Sequence, residues 1–220
     1  MLEVLSLVLG PVATNAYLMA DTDTREAVVI DPAWDGQTIV RRAQSLGWHV
    51  GQIWITHAHF DHFGGIGAVL AGCTPKPSIA LHPADLPLWR MKGGSELFGV
   101  KMDAAPLPDV LLQPGQTLRV GQYAFSVRHT PGHSLGHVTF YCAEESLAFV
   151  GDTIFAGSVG RTDLPGGSSD ALLNSIAGLI RRFPADTLVH CGHGPDTSLG
   201  RELALNPFLA PLRYDPEHRW

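Results

Sequence analysis

Lysine is scarce in this chain. Lys76, Lys92 and Lys101 are its only three among 220 residues, and the net charge is −6. Nucleic-acid binding needs a basic face to neutralise phosphates, so this balance leaves no electrostatic footprint for such a partner. Cysteine is equally sparse: Cys73, Cys142 and Cys191 are odd in number and widely spaced, which fits reduced thiols and no disulfide framework. Long apolar runs are missing too. The first, Leu2 to Leu9, follows Met1 with no positive segment and stops at Gly10-Pro11, far short of a signal or membrane helix. The expected location is the cytoplasm, with no membrane partner. No internal repeat or low-complexity linker divides the chain, so residues 1–220 are expected to form a single domain.

What the chain does have is a dense polar stretch, Thr56-His57-Ala58-His59-Phe60-Asp61-His62, directly after the apolar run Gln52-Ile53-Trp54-Ile55. That run reads as a buried strand, and in open α/β sheets sites gather beyond the carboxyl ends of strands. Alternate side chains of an extended backbone share a face, so His57 and His59 converge on one point with the small Ala58 between them. Phe63-Gly64-Gly65-Ile66-Gly67 then bends into a helix, glycine tolerating conformations that other residues avoid, and aims Asp61 and His62 at a neighbouring point. Two adjacent metal ions satisfy this layout. Imidazole and carboxylate without thiolate suit zinc first, then iron or manganese, rather than calcium.

Upstream, Leu2 to Leu9, Ala16 to Ala20 and Ala27 to Ile30 read as strands of a meander. A helix follows from Gly36 to Leu46, with Asp35 as its N-cap and Gly47 as its stop, and the chain returns through a strand at 50–55. Asp31, at a strand end before Pro32, is either an acceptor that orients a metal-bound histidine or an ordinary turn aspartate. Ile66 to Ala71 is a short helix and Ser78 to Leu81 a strand, after which His82 opens a helix at Pro83. Residues 91–106 have no period and read as a surface excursion beside the site.

From Asp109 the pattern changes to short strands: Val110 to Leu112, Thr117 to Val120, Ala124 to Val127, Val138 to Tyr141 and Leu147 to Val150. They are expected to form a second, antiparallel sheet whose loops carry His133 and Asp152. His129 and His137 read as packing or supporting residues. In the glycine-rich segment 155–167, Arg161 is the natural anchor for a substrate carboxylate; its alternative is an ion pair with Asp163. A helix from Ser169 to Arg182, capped by Ser168 or Ser169, precedes a last strand, Thr187 to Cys191, which delivers His193 and turns Cys191 into the interior.

Taken in order, His57-x-His59-x-Asp61-His62, His133, Asp152 and His193 resemble the metallo-β-lactamase superfamily over nearly the full chain. The segments Gly157-Ser158-Val159-Gly160-Arg161-Thr162-Asp163, Gly192-His193-Gly194-Pro195 and Asn206-Pro207-Phe208-Leu209 are most similar to its glyoxalase II (hydroxyacylglutathione hydrolase) branch, in particular the small glyoxalase-II-like proteins. The resemblance implies an α/β fold, a four-layer αββα sandwich of two mixed β-sheets. It implies two divalent metal ions, one on His57, His59 and His133, the other on Asp61, His62 and His193, with Asp152 bridging. Asp61 and Asp152 are then the candidate catalytic residues. The helical C-terminal domain that helps full-length glyoxalase II bind glutathione is not expected here. Arg161-Thr162-Asp163 is also similar to a loop of the persulfide dioxygenases, iron enzymes of the same superfamily, and Asp152 stands where many metallo-β-lactamases place a zinc-binding cysteine, so a β-lactam substrate is not expected.

The expected activity is hydrolysis of an acylglutathione-type thioester. A water bridging two metals ionises near neutral pH, as in the zinc case at about pH 7, and the departing thiolate needs no general acid. The alternative is a glutathione persulfide dioxygenase with one iron on His57, His133 and Asp152.

Overall fold

The computed structural model describes residues 1–214; residues 215–220 of the expected domain lie outside the described residues. Strands β1 (Leu2–Leu9), β2 (Thr14–Asp21) and β3 (Glu26–Ile30) form the expected meander. Helix α1 (Gly36–Leu46) then crosses to β4 (His49–Trp54), parallel to β3. Asp35 accepts from the Thr38 amide, and Gly47 takes the left-handed conformation at the C-cap, so both ends of α1 follow their sequence signals. The chain continues through α2 (Phe60–Phe63), α3 (Ile66–Gly72), β5 (Ser78–Leu81), α4 (Leu86–Arg90) and β6 (Val110–Leu111).

The second sheet is built from β7 (Thr117–Val120), β8 (Tyr123–His129), β9 (Val138–Cys142) and β10 (Leu147–Gly151), with β11 (Ile154–Phe155) and β12 (Ser158–Val159) as a separate hairpin. Helix α5 (Ser169–Ile180), capped by Ser168, leads to β13 (Leu188–Cys191), β14 (Thr197–Ser198) and α6 (Leu199–Leu205).

Two expectations change. Residues 110–111 join the first sheet, whose order is β1-β2-β3-β4-β5-β6, because the Asp109 and Leu112 amides bond to the carbonyls of Ile79 and Leu81 along the open edge of β5. So short a strand has no alternation to fix its partner. The second sheet, ordered β14-β13-β10-β9-β8-β7, is mixed rather than antiparallel, since the α5 crossover lays β13 parallel to β10.

Alternation along the strands divides the interior. Leu18, Val29 and Ile53 face α1 and α3, whereas Tyr17, Met19, Val28, Ile30 and Trp54 meet Phe125, Phe140 and Phe149 between the sheets. Ala148, Val150 and Val189 face α5 on the far side. Three cores between four layers make the αββα sandwich. Trp54 is fully buried with ring centroids 5.3 Å from both Phe125 and Phe140, so Trp54→Ala should cost about 3–5 kcal/mol of stability. Cys142 and Cys191 are buried with free thiols, Cys73 is partly buried, and burial pushes the Cys191 thiol up to about 12. Among the described residues no helix is long and apolar enough to cross a membrane.

Candidate metal centre

His57 and His59 follow the carboxyl end of β4, Asp152 follows β10 and His193 follows β13, so three strand ends feed one corner of the sandwich. His133 joins them from the loop between β8 and β9. Helix α2 turns Asp61 and His62 inward, and its short path is pinned by the Ala33 amide on the His62 carbonyl. The glycines after it act differently from expectation. Gly64 and Gly65 have ordinary right-handed torsions; a Cβ on Gly65 would overlap the carbonyl oxygens of Pro32 and Trp34. Close backbone approach, not unusual torsion, requires glycine here. Gly192 works likewise, since a Cβ there would overlap Asp152 Oδ1.

The structure brings all seven predicted side chains together. His133 Nε2 lies 2.8 Å from His59 Nδ1 and 3.2 Å from His57 Nε2. Asp61 Oδ2 is 3.5 Å from His62 Nε2 and 3.3 Å from His193 Nε2. Asp152 spans the two groups: its Oδ1 is 3.3 Å from His62, and its Oδ2 is 3.4 Å from His133 and 3.6 Å from His193. The ligand atoms of His57, His59 and His133, and those of Asp61, His62 and His193, each fall within 4.8 Å of one another.

The surrounding hydrogen bonds decide which ring nitrogens carry lone pairs. The Thr56 hydroxyl donates to Asp31 Oδ2 at 2.6 Å, so at 3.0 Å it accepts from His57 Nδ1, and His57 Nε2 faces inward unprotonated. His133 Nδ1 donates to the Arg161 carbonyl at 2.8 Å, leaving Nε2 bare, and His62 Nδ1 donates to Asp31 at 2.9 Å, leaving its Nε2 the same. Lone pairs therefore converge on each other and on carboxylates, and His62 Nε2 and Asp152 Oδ1 are buried without a hydrogen-bond partner. Cations at the centre would remove this repulsion, and the donor set fits divalent metals.

Asp31 thus orients His62 directly and His57 through Thr56 rather than turning the chain alone. It accepts from the Thr56 amide as well and holds a positive φ of 47°, a conformation aspartate tolerates. His137 supports from the other side, its Nε2 accepting from the Asp152 amide at 3.1 Å. His82 caps the turn at Pro83 and stacks on His129, and neither belongs to the two ligand groups.

Burial alone would lift the carboxyls and depress the imidazoles. At Asp61 it is outweighed by His62 and His193, leaving a pKa of about 2, and at Asp152 by His62 and His133, leaving it far below the usual range. Burial depresses His57 strongly and His59 to about 3, each helped by neighbouring imidazoles. At His62 and His193 the same burial is overcome by Asp152 and Asp61, and both are raised.

Two contacts, those of Asp85 and Thr14, are not legible in the sequence, whereas the ion pair offered as the alternative for Arg161 is present. Asp85 is buried and accepts from the Ala58 amide at 2.9 Å, the Ser134 hydroxyl at 2.8 Å and the Gly136 amide, strapping the His57–His59 loop to the His133 loop. Thr14 donates to Asp61 Oδ2 at 3.0 Å. Arg161 presents its guanidinium to Asp163 through two bonds, of 2.7 and 2.8 Å, while still lining the cavity of about 190 Å³ over the cluster.

The family model described as the metallo-beta-lactamase superfamily matches residues 9–193. The chain is 32% identical over 203 residues to the hydroxyacylglutathione hydrolase GloC of Haemophilus influenzae, covering 89% of this chain and 92% of that protein. Among solved structures, BLEG-1, a B3 metallo-beta-lactamase, superposes with a TM-score of 0.87 at 38% identity, covering 96% of this chain and all (100%) of the other. TTHA1623 in a di-iron-bound form gives a TM-score of 0.84 at 40% identity, covering 94% and 100%. By motif, ligand cluster and fold, the chain belongs to the metallo-β-lactamase superfamily.

Proposed function

We propose that the protein is a glyoxalase-II-like thioester hydrolase that uses two divalent ions, one on His57, His59 and His133, the other on Asp61, His62 and His193, with Asp152 shared. The position of Asp152 carries this reading, because one carboxylate reaches His62 through one oxygen and both His133 and His193 through the other. Divalent ions held there would supply Lewis acidity, lowering the pKa of water to about 7 in the zinc case and polarising a carbonyl oxygen. Asp31 and the Arg161 carbonyl accept from the outer ring nitrogens of His62 and His133 and so turn the Nε2 atoms inward. Water adds its oxygen to the acyl carbon, the C–S bond breaks, and a carboxylate and a thiol leave. A thiolate departs without a general acid, and among the described residues lining the cavity over the cluster the acidic and imidazole groups are the proposed ligands themselves. Zinc is the first candidate; the di-iron-bound relative keeps iron as the second. Arg161 is the candidate anchor for a substrate carboxylate, in exchange with Asp163.

Similarity to a B3 metallo-beta-lactamase gives a second reading, β-lactam hydrolysis. Protein purified without added metal should be analysed for its ions and assayed in parallel for hydroxyacylglutathione hydrolysis, β-lactam opening and oxygen uptake with glutathione persulfide. The proposal expects the first activity to dominate. Oxygen uptake with a single iron would replace it with the dioxygenase.

A further inference from the structure

Beside the cavity over the cluster lies a second one of about 210 Å³, and the two share His59, Phe98 and Leu164. The first is polar at its base, but the second is walled by Leu88, Met91, Leu97 and Leu135 with Pro165 of the glycine-rich segment. Its ionisable groups are His59, placed among the ligands, and Asp85, both of whose oxygens are engaged by Ala58, Ser134 and Gly136. Among the described residues no lysine or arginine lines it. Around it Met91, Leu97 and Leu135 stand 61%, 66% and 58% exposed, an apolar patch larger than scattered surface residues make. A cavity of this chemistry rejects charge, because a buried ion would find no partner.

We infer that this second cavity receives an uncharged apolar substituent of the substrate while the scissile carbonyl lies over the ligand cluster. The inference rests on the hydrolase reading above and adds the substrate class: thioesters with an alkyl or aryl group on one side of the C–S bond. Either half of the substrate, acyl or thiol, can carry that group.

Two substrate series separate the halves: straight-chain acyl thioesters of the uncharged thiol N-acetylcysteamine, and acetyl thioesters of straight-chain alkanethiols. In one series kcat/KM should rise about fourfold per added methylene until the cavity is full, the factor expected for burying a CH₂ group. The other should stay flat. Leu97→Asp and Leu135→Asp, at exposed positions where folding is not at stake, should flatten the rising series. Hexanamide titrated onto the protein as purified should shift the methyl signals of Leu88 and Met91 and bind at least tenfold more weakly to Leu97→Asp. If short thioesters are cleaved but both series are flat, the inference is overturned and the hydrolase reading stands. If no thioester is cleaved, the hydrolase reading falls, and hexanamide decides the cavity: binding at Leu88 and Met91 upholds its apolar role, and no binding removes it.

Discussion

His57 and His59 sit in the half of the cluster whose three predicted ligands are all imidazoles, and burial holds both below their ordinary range, His59 at about 3. Burial is as complete at His62, yet its imidazole is raised, because Asp152 and Asp61 face it; His193 is raised by the same two carboxylates. The difference teaches that neighbouring charge, not depth, sets proton affinity here. One half offers lone pairs that protons hardly contest at neutral pH, whereas in the other a proton competes more strongly for the place an ion would take.

Asp152 is what the two halves share, so its loss should have the largest effect. Asp152→Ala should lower kcat/KM by roughly 10²–10³-fold, on the scale of removing a preorganised electrostatic group, and by more than Asp61→Ala, which touches one half. Equal losses in steady-state kinetics would mean that the halves act separately. Asp31→Asn comes next. It keeps a residue that tolerates the φ of 47° but removes the charge that fixes His62 directly and His57 through Thr56, so metal affinity measured by chelator competition should fall about 10–100-fold.

Acidification should divide the halves. A raised pKa means that a proton competes with the ion at higher pH, so as pH falls from neutral the Asp61–His62–His193 half should release its ion first. The His57–His59 half, with depressed imidazoles, should keep its ion to lower pH. Metal content after dialysis at stepped pH should drop from two to one and then to none; a single concerted loss would erase the distinction. The smallest effect belongs to Arg161. Its carbonyl, which orients His133, survives Arg161→Ala, so both halves stay intact, and an exposed ion pair contributes little stability. The melting temperature should hardly move, while KM for a carboxylate-bearing substrate rises and kcat changes less. Lower stability with unchanged KM would reduce Arg161 to a partner of Asp163.

Much of this centre is legible in the sequence because its signals are local. Asp35 and Gly47 mark the ends of α1, and His57, His59, Asp61 and His62 are placed by one strand end and one turn. Asp85 shows why the rest is hidden. It stands at the N-cap of α4, but its side chain makes no cap bond and instead reaches residues 27, 49 and 51 positions away. Thr14 and Asp61 meet across 47 positions in the same way. Contacts of this kind exist only once distant segments have packed, and those of Asp85 with Ser134 and Gly136 need both halves of the sandwich. The same holds for β6, whose partner is set by the open edge of β5 and not by its own two residues.

The central claim is that both halves hold ions and that Asp152 belongs to each. Anomalous diffraction from crystals of metal-replete protein tests this most directly. The account predicts two peaks, one ringed by His57, His59 and His133, the other by Asp61, His62 and His193, with Asp152 in contact with both. A single peak, with Asp61 and His193 turned away from it, would contradict the account.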